Sequence, residues 1–298
     1  MAPNGHTNGH STDKKVWVIT GCSSGLGGTI AEAALNRGDI VVATARNTSK
    51  LSALAERGAL LETLDVTSPD NVLAETAERI ASRTGGRIDI LVNNAGYILA
   101  GGVEEASRAE AQATFETNVF GQLNVLRAVL PIMRRNGPGG VVANLGSIGG
   151  WHGTPGAGLY CATKACCSLL SEALRAEVAH LGIQVTAIEP GYTRTDFLAS
   201  GHQIRAKKVI DELRPGIDPT IEALTAYSNK QPGDPVKLAN LVVEALTLSG
   251  RCKGRTLPPR LLIGADAYQI VSGNLRENEK WWKEWEDLCT ATNCDDVK

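Results

Sequence analysis

Tyr160 and Lys164 stand four residues apart in the run Tyr160-Cys161-Ala162-Thr163-Lys164. On a helix this spacing puts phenol and ammonium on one face. A free tyrosine, with a pKa near about 10, is a poor base at neutral pH. A neighbouring cation favours the phenolate and is expected to move that value down, toward the range useful for proton transfer. Upstream, Ser147 closes the apolar run VVANLGS. Its hydroxyl there can hydrogen-bond a carbonyl oxygen and help Tyr160 stabilise a developing alkoxide. Asn118, in ETNVFG, reads as a polar residue inside a helix that holds a water next to Lys164. The competing readings are a loop serine and a surface asparagine.

A second group of residues has the types that cradle phosphates. Thr20-Gly21-Cys22-Ser23-Ser24-Gly25-Leu26-Gly27 places three glycines between an apolar run and a helical one. Gly21 permits a sharp turn, Gly25 lets a pyrophosphate approach the backbone, and Gly27 lets helix and strand pack closely. Ser23 and Ser24 lie within the same turn and count with it as phosphate contacts, at a helix N-terminus whose free N–H groups favour anions. The next apolar run ends Ala43-Thr44-Ala45-Arg46-Asn47, with no carboxylate to receive a ribose hydroxyl. Arg46 instead offers a planar donor fork to a 2′-phosphate, which favours NADPH over NADH. Asp65, ending the third run, is placed to accept from an adenine amine. A surface cation and a turn aspartate are the competing readings of these two residues.

Such groups need a frame, and the chain alternates strand and helix patterns to provide it. Strand runs are KKVWVIT, DIVVATAR, LLETLD, RIDILVNNAG, GVVANLGS, GIQVTAIEPG and LLIGA. Between them lie helical patterns, one from Pro69 to about Arg83 with Ser68 as its cap, and one from about Ala157 to His180. The latter is expected to bury a stripe of Cys166, Leu169, Leu170, Ala173, Leu174 and Leu181, with the Tyr160–Lys164 pair off that face. Near-continuous apolar strands joined by helices predict an α/β fold, a Rossmann-like doubly wound parallel sheet in three α/β/α layers, with its active crevice at the carboxyl ends of the strands. Residues 195–233, broken by Gly201, Pro215, Gly216, Pro219, Pro232 and Gly233, read as an insertion lying over the crevice as a lid. A C-terminal helix at about 266–288 carries Trp281, Trp282 and Trp285; docking on the core is favoured over lining a substrate pocket or a subunit contact. One domain over 14–298 is expected.

Composition sets the outer bounds. The 298 residues carry a formal net charge of −2, which leaves no cationic footprint for nucleic acid. No run of eighteen apolar residues appears, so no membrane span is predicted. Seven cysteines without a CxxC pair predict neither a disulfide framework nor a metal site. Residues 1–13 are polar, lack a secretory core and read as a loose tail bearing His6 and His10. A cytoplasmic enzyme is the expectation.

Taken together, TGCSSGLG (20–27), Asp65-Val66, NNAG (93–96), Asn118, Ser147, YCATK (160–164) and Pro190-Gly191 followed by Thr195 resemble the short-chain dehydrogenase/reductase family in order and spacing. The resemblance implies a Ser147–Tyr160–Lys164 group supported by Asn118, with Tyr160 the general acid in ketone reduction. It makes Lys164 a holder of the nicotinamide ribose and Asn118 the anchor of a proton-relay water. It implies that Asn93 and Asn94 brace the sheet and touch the cofactor. The amide of Leu26 would meet the pyrophosphate, Thr193 and Thr195 belong to a carboxamide-binding segment, and Arg127 is similar to a cationic position near the cofactor. His152 is a further candidate to face the substrate. The C-terminal run LPPRLLIGADAYQIV with its tryptophan-bearing final helix is similar to fungal-type and 17β-hydroxysteroid-dehydrogenase-like members, which implies a fairly apolar carbonyl or alcohol substrate. A homodimer or homotetramer formed through the two long helices is implied as well. The expected activity is hydride transfer between NADP(H) and a ketone or alcohol. A redox-neutral dehydratase, isomerase or cyclase is the alternative, and a non-catalytic NADP(H)-binding protein is a third class.

Overall fold

The computed structural model describes residues 14–198 and 203–294; the expected polar tail lies outside them. In chain order its elements begin β1 (Val16–Ile19), α1 (Gly25–Asn36), β2 (Ile40–Ala45), α2 (Ser52–Glu56), β3 (Leu60–Thr63), α3 (Asp70–Arg83) and β4 (Ile90–Asn93). They continue β5 (Ile98–Ala100), α4 (Arg108–Phe115), α5 (Gly121–Arg135), β6 (Val141–Leu145), α6 (Gly158–Val178) and β7 (Gln184–Pro190). The last are β8 (Gln203–Arg205), α7 (Arg214–Tyr227), α8 (Pro235–Leu246), β9 (Arg260–Ile263), α9 (Ala265–Glu284) and α10 (Glu286–Thr290).

Seven strands form one parallel sheet in the order β3-β2-β1-β4-β6-β7-β9. All four residues of β1 and of β4 are buried, as strands covered on both faces must be. One core face joins Trp17, Ile19, Val41 and Val92 to Ile30 of α1 and Val242 of α8. The other joins Val18, Leu91 and Val142 to Leu73 and Ile80 of α3 and Val129 and Met133 of α5. The chain moves outward from β1 to β3, then returns to place β4 against the other side of β1. Strand order reverses at that point, which opens a crevice beyond the carboxyl ends of β1 and β4.

Three local expectations are corrected. Ser68 does not cap α3. Pro69, in an extended conformation, takes the cap position, and the Ser68 amide donates to the Asp65 carbonyl within a turn. On α6 the buried face is a polar one: Cys161, Thr163, Lys164, Cys167, Ser168 and Ser171, while Leu169 is 62% exposed. The reason is hydrogen bonding. Small hydroxyls let the helix lie close on the sheet, and Ser171 receives the Asn144 amide while Ser168 donates to Glu189. On α9 only Ala267 and Val271 are buried, whereas Trp281, Trp282 and Trp285 are each more than half exposed. The helix leaves the sheet edge after β9, so only its first two turns reach the body of the protein.

Within 195–233 the structure contains more order than broken helical fragments. β8 pairs in parallel with β5, and α7 runs for 14 residues with Pro215 in its first turn. Ile217 and Ile221 press so closely on Gly102 and Gly156 that a Cβ on either glycine would collide with them.

Candidate active site

The residues that follow β1, β4, β6 and β7 converge on one crevice of about 510 Å³. At one end of it lies the glycine turn. Gly25 adopts φ +62° with nothing within 4 Å of where a Cβ would stand, so its outer face is open. Gly27 is the opposite case, for a Cβ there would strike the Asn94 amide and the Gly21 carbonyl. Ser24 supplies no side-chain cap to α1, which leaves the first-turn amides of that helix to another acceptor. Ser23, Ser24 and Leu26 all line the crevice. The two asparagines after β4 divide their work. Asn93 donates to Asn144 across β4 and β6 at 2.9 Å and stays in the sheet. Asn94 lines the crevice and donates to the carbonyls of Thr20 and Gly21, holding the turn.

Farther along the wall, Arg46 is exposed and makes no hydrogen bond or ion pair among the described residues. Asp65 lines the same end while one carboxylate oxygen accepts from the amide and hydroxyl of Thr67. It is thus both a turn aspartate and a crevice residue. Thr193 and Thr195 line the opposite wall, where the Thr195 amide donates to the Thr193 carbonyl. Arg127 is not there: it reaches Asp70 at 2.8 Å and Asn124 at 2.6 Å on the outer side of α5, facing a separate groove. The reason is helix geometry. Nine residues at about 100° each rotate a side chain about half a turn from Asn118.

At the other end Ser147, Tyr160 and Lys164 line the crevice together. Ser147 opens a 3-10 turn, accepts from the Gly149 amide at 3.0 Å, and its hydroxyl lies within hydrogen-bonding reach of the Tyr160 phenol. Lys164 is buried, donates to the Leu145 carbonyl at 2.6 Å, and holds its ammonium 5.7 Å from the centre of the Tyr160 ring. Electrostatics differ in sign from the expectation. Burial pushes the phenol above its ordinary value, and the Ser147 hydrogen bond offsets only part of this. Burial also pulls the Lys164 ammonium below the usual lysine range. Tyr160 thus stays protonated at neutral pH, as an ordinary phenol does, and further from its titration range.

Asn118 is brought close. It lies in a π-helical turn over Glu116–Phe120, fully buried. Its carbonyl oxygen Oδ1 accepts from the Tyr97 amide, and its Nδ2 donates to the Tyr97 carbonyl and the Thr163 hydroxyl. The side chain braces the β4–β5 segment against α6. His152 lines the crevice with its Nδ1 unpartnered among the described residues.

Sequence reasoning missed two features. Glu189, wholly buried at the end of β7, accepts from the Trp151 indole, the Ser168 hydroxyl and Arg260. Gln231 reaches the crevice from a loop with no readable signal. Among the described residues no group of three or more His, Cys, Asp or Glu side chains is placed to hold a metal, and no helix is long and apolar enough to cross a membrane.

The short chain dehydrogenase family model matches residues 15–205. The oxidoreductase BOA17 of Botryotinia fuckeliana is 37% identical over 283 residues, covering 93% of this chain and 99% of that protein. A short-chain dehydrogenase from Streptomyces avermitilis has a crystal structure that superposes with a TM-score of 0.85 at 38% identity, covering 95% of this chain and all of that one. A short chain dehydrogenase from Burkholderia cenocepacia, solved in complex with NADP, gives a TM-score of 0.68 at 27% identity, covering 91% of this chain and 97% of that one.

Proposed function

The chain belongs to the short-chain dehydrogenase family, and we propose that it is an NADPH-dependent ketoreductase acting on a neutral, fairly apolar ketone or aldehyde. The observation that carries this reading is a half-buried phenol of raised pKa sharing one crevice with Ser147, Lys164 and an open glycine turn. The crevice fits a nicotinamide dinucleotide phosphate by its residues: Gly25 and the α1 amides for the pyrophosphate, Asp65 for the adenine end, Arg46 for a 2′-phosphate, Lys164 for the ribose, and Asn94, Thr193 and Thr195 along the walls. When bound, the cofactor supplies the hydride.

The protein supplies the rest. Ser147 and Tyr160 present two hydroxyls to one carbonyl oxygen and polarise it. As negative charge grows on that oxygen, Tyr160 passes its proton to it. The Lys164 ammonium beside the ring stabilises the phenolate left behind, and Asn118 keeps the Tyr97 segment and α6 in register. Apolar side chains, among them Ile98, Ile148, Phe197, Ile204 and Leu224, shape the substrate end. In this reading 195–233 is the lid and the enzyme is cytoplasmic, in keeping with seven unbridged cysteines.

The test is incubation of the purified protein with NADPH and a panel of apolar ketones and aldehydes. Loss of cofactor absorbance and products heavier by two hydrogens are expected. Constant absorbance with mass-neutral products would replace this reading by a redox-neutral one. For the cofactor, Arg46→Asp is expected to weaken NADPH binding about 10- to 100-fold, by loss of charge-assisted bonds, with NADH binding unchanged. Equal effects on both nucleotides would contradict the phosphate role.

Oligomer formation through α5 and α6 is part of the same proposal. An apolar groove between them is lined by Leu123, Leu126, Leu130, Leu170 and Leu174, beside exposed Leu169. Leu170→Glu is expected to convert a dimer or tetramer into a smaller species by light scattering. An unchanged mass would move the interface elsewhere.

A further inference from the structure

Gln231 is 1% exposed, yet neither Nε2 nor Oε1 of its side chain has a hydrogen-bond partner among the described residues. A buried amide left in that state destabilises the fold, and native interiors pair nearly all such groups. The backbone holds the residue firmly in place. Gly233 bridges Thr193, the Gly233 amide donates to the Tyr192 carbonyl at 3.0 Å, the Arg194 amide donates to Gly233 at 2.8 Å, and Arg194 Nε donates to the Gln231 carbonyl at 3.0 Å. The main chain of Gln231 is thereby fixed against the Gly191–Thr195 wall, where the residue borders the crevice.

The chemistry of the missing partner follows from the amide itself. A glutamine presents two N–H donors beside one carbonyl acceptor and carries no charge. A carboxylate or phosphate would use only the donors and leave Oε1 unpaired; an ammonium would use only the acceptor. A hydroxyl satisfies one of the two positions well. A primary carboxamide satisfies both, through two antiparallel N–H···O bonds. We propose that Gln231 recognises the carboxamide of the nicotinamide ring, an inference that rests on the cofactor reading above. The ring edge is then held by the Gln231 side chain in addition to the backbone of the Gly191–Thr195 segment. This makes Gln231 a determinant of which pyridine nucleotides seat productively.

Calorimetric titration of the full chain with three ligands tests this. They are NADP⁺, its 3-acetylpyridine analogue, which keeps the acceptor but has no N–H donors, and 2′-phospho-ADP-ribose, which has no ring. Wild type is expected to prefer NADP⁺ to the analogue several-fold. Gln231→Met is expected to weaken NADP⁺ about tenfold, the value of one to two net hydrogen bonds, to abolish that preference, and to leave the ring-free ligand unchanged. Gln231→Glu, which keeps acceptors and loses the donors, is expected to widen the preference for NADP⁺, the opposite sign. Equal weakening of NADP⁺ and 2′-phospho-ADP-ribose in either variant would show a role in crevice shape and overturn the inference. So would unaltered discrimination between NADP⁺ and the analogue, which would assign the amide to substrate. If wild type binds neither NADP⁺ nor 2′-phospho-ADP-ribose, the cofactor reading fails first and takes the inference with it.

Discussion

Replacement of Tyr160 by phenylalanine is expected to lower kcat for carbonyl reduction by about 10³-fold, the usual value of a positioned general acid. The ring stays, so its tilted contact with Phe197 and its place above the Lys164 ammonium are kept. What is lost is one hydroxyl: the proton for the developing alkoxide and the partner of Ser147. NADPH affinity is expected to change less than about threefold, because an interaction made chiefly in the transition state shows in kcat rather than in binding. A Tyr160→Phe enzyme that kept a tenth of its activity would remove the phenol from the chemistry. The phenol's raised pKa also gives the pH dependence a sign. Reduction needs the protonated form, and burial keeps it protonated above the ordinary tyrosine value, so the reductase kcat is expected to stay flat from about pH 6 to pH 9. Alcohol oxidation needs the phenolate and is expected to rise across the same range. Initial rates in both directions check this, and a reductase rate that fell steeply toward alkaline pH would assign proton donation to a group of lower pKa.

That the phenol's pKa is raised rather than lowered was not legible in the sequence, and the reason is physical. Spacing of four residues shows that Tyr160 and Lys164 share a helical face, and it shows nothing of how deeply that face is buried. Desolvation is the largest influence on both groups, raising the phenol and lowering the ammonium. The parallel sheet between two helical layers, by contrast, could be read because apolar runs such as IVVATA have few ways to be covered on both faces. The α6 stripe misled because helical periodicity ranks residues by hydrophobicity. This helix instead packs its serines and threonine on the sheet, with each hydroxyl given a partner, and leaves Leu169 outward. The tryptophans of α9 failed the same rule. Gln231 shows the limit most plainly, since an amide without a partner is a property of packing.

The Glu189–Arg260 pair carries the largest expected effect on stability. Glu189 is 0% exposed, and one of its oxygens receives Arg260 Nε at 2.7 Å and the Ser168 hydroxyl at 2.6 Å. The other oxygen accepts the Trp151 indole N–H at 2.7 Å, and the Arg260 guanidinium stacks 3.6 Å from the centre of that indole. Trp151 closes the 3-10 turn that begins at Ser147. The network therefore ties β7 and β9 to the turn that sets Ser147 at the crevice. Arg260→Met removes the cation and leaves the carboxylate buried, which is expected to cost about 3–5 kcal/mol. In a chain of this size that lowers the melting temperature by roughly 10 °C. Glu189→Met in the Arg260→Met background removes the stranded charge, and the double variant is expected to regain more than half of the loss, because an apolar pair of similar volume is often near neutral. Denaturant unfolding of the three variants measures the coupling. The turn has still lost its tether to β7, so kcat of the double variant is expected to stay about tenfold low with KM for NADPH unchanged. Stability and activity would then separate, as they must if the network both neutralises a buried charge and holds Ser147 in place. Recovery of both together would reduce its role to folding alone.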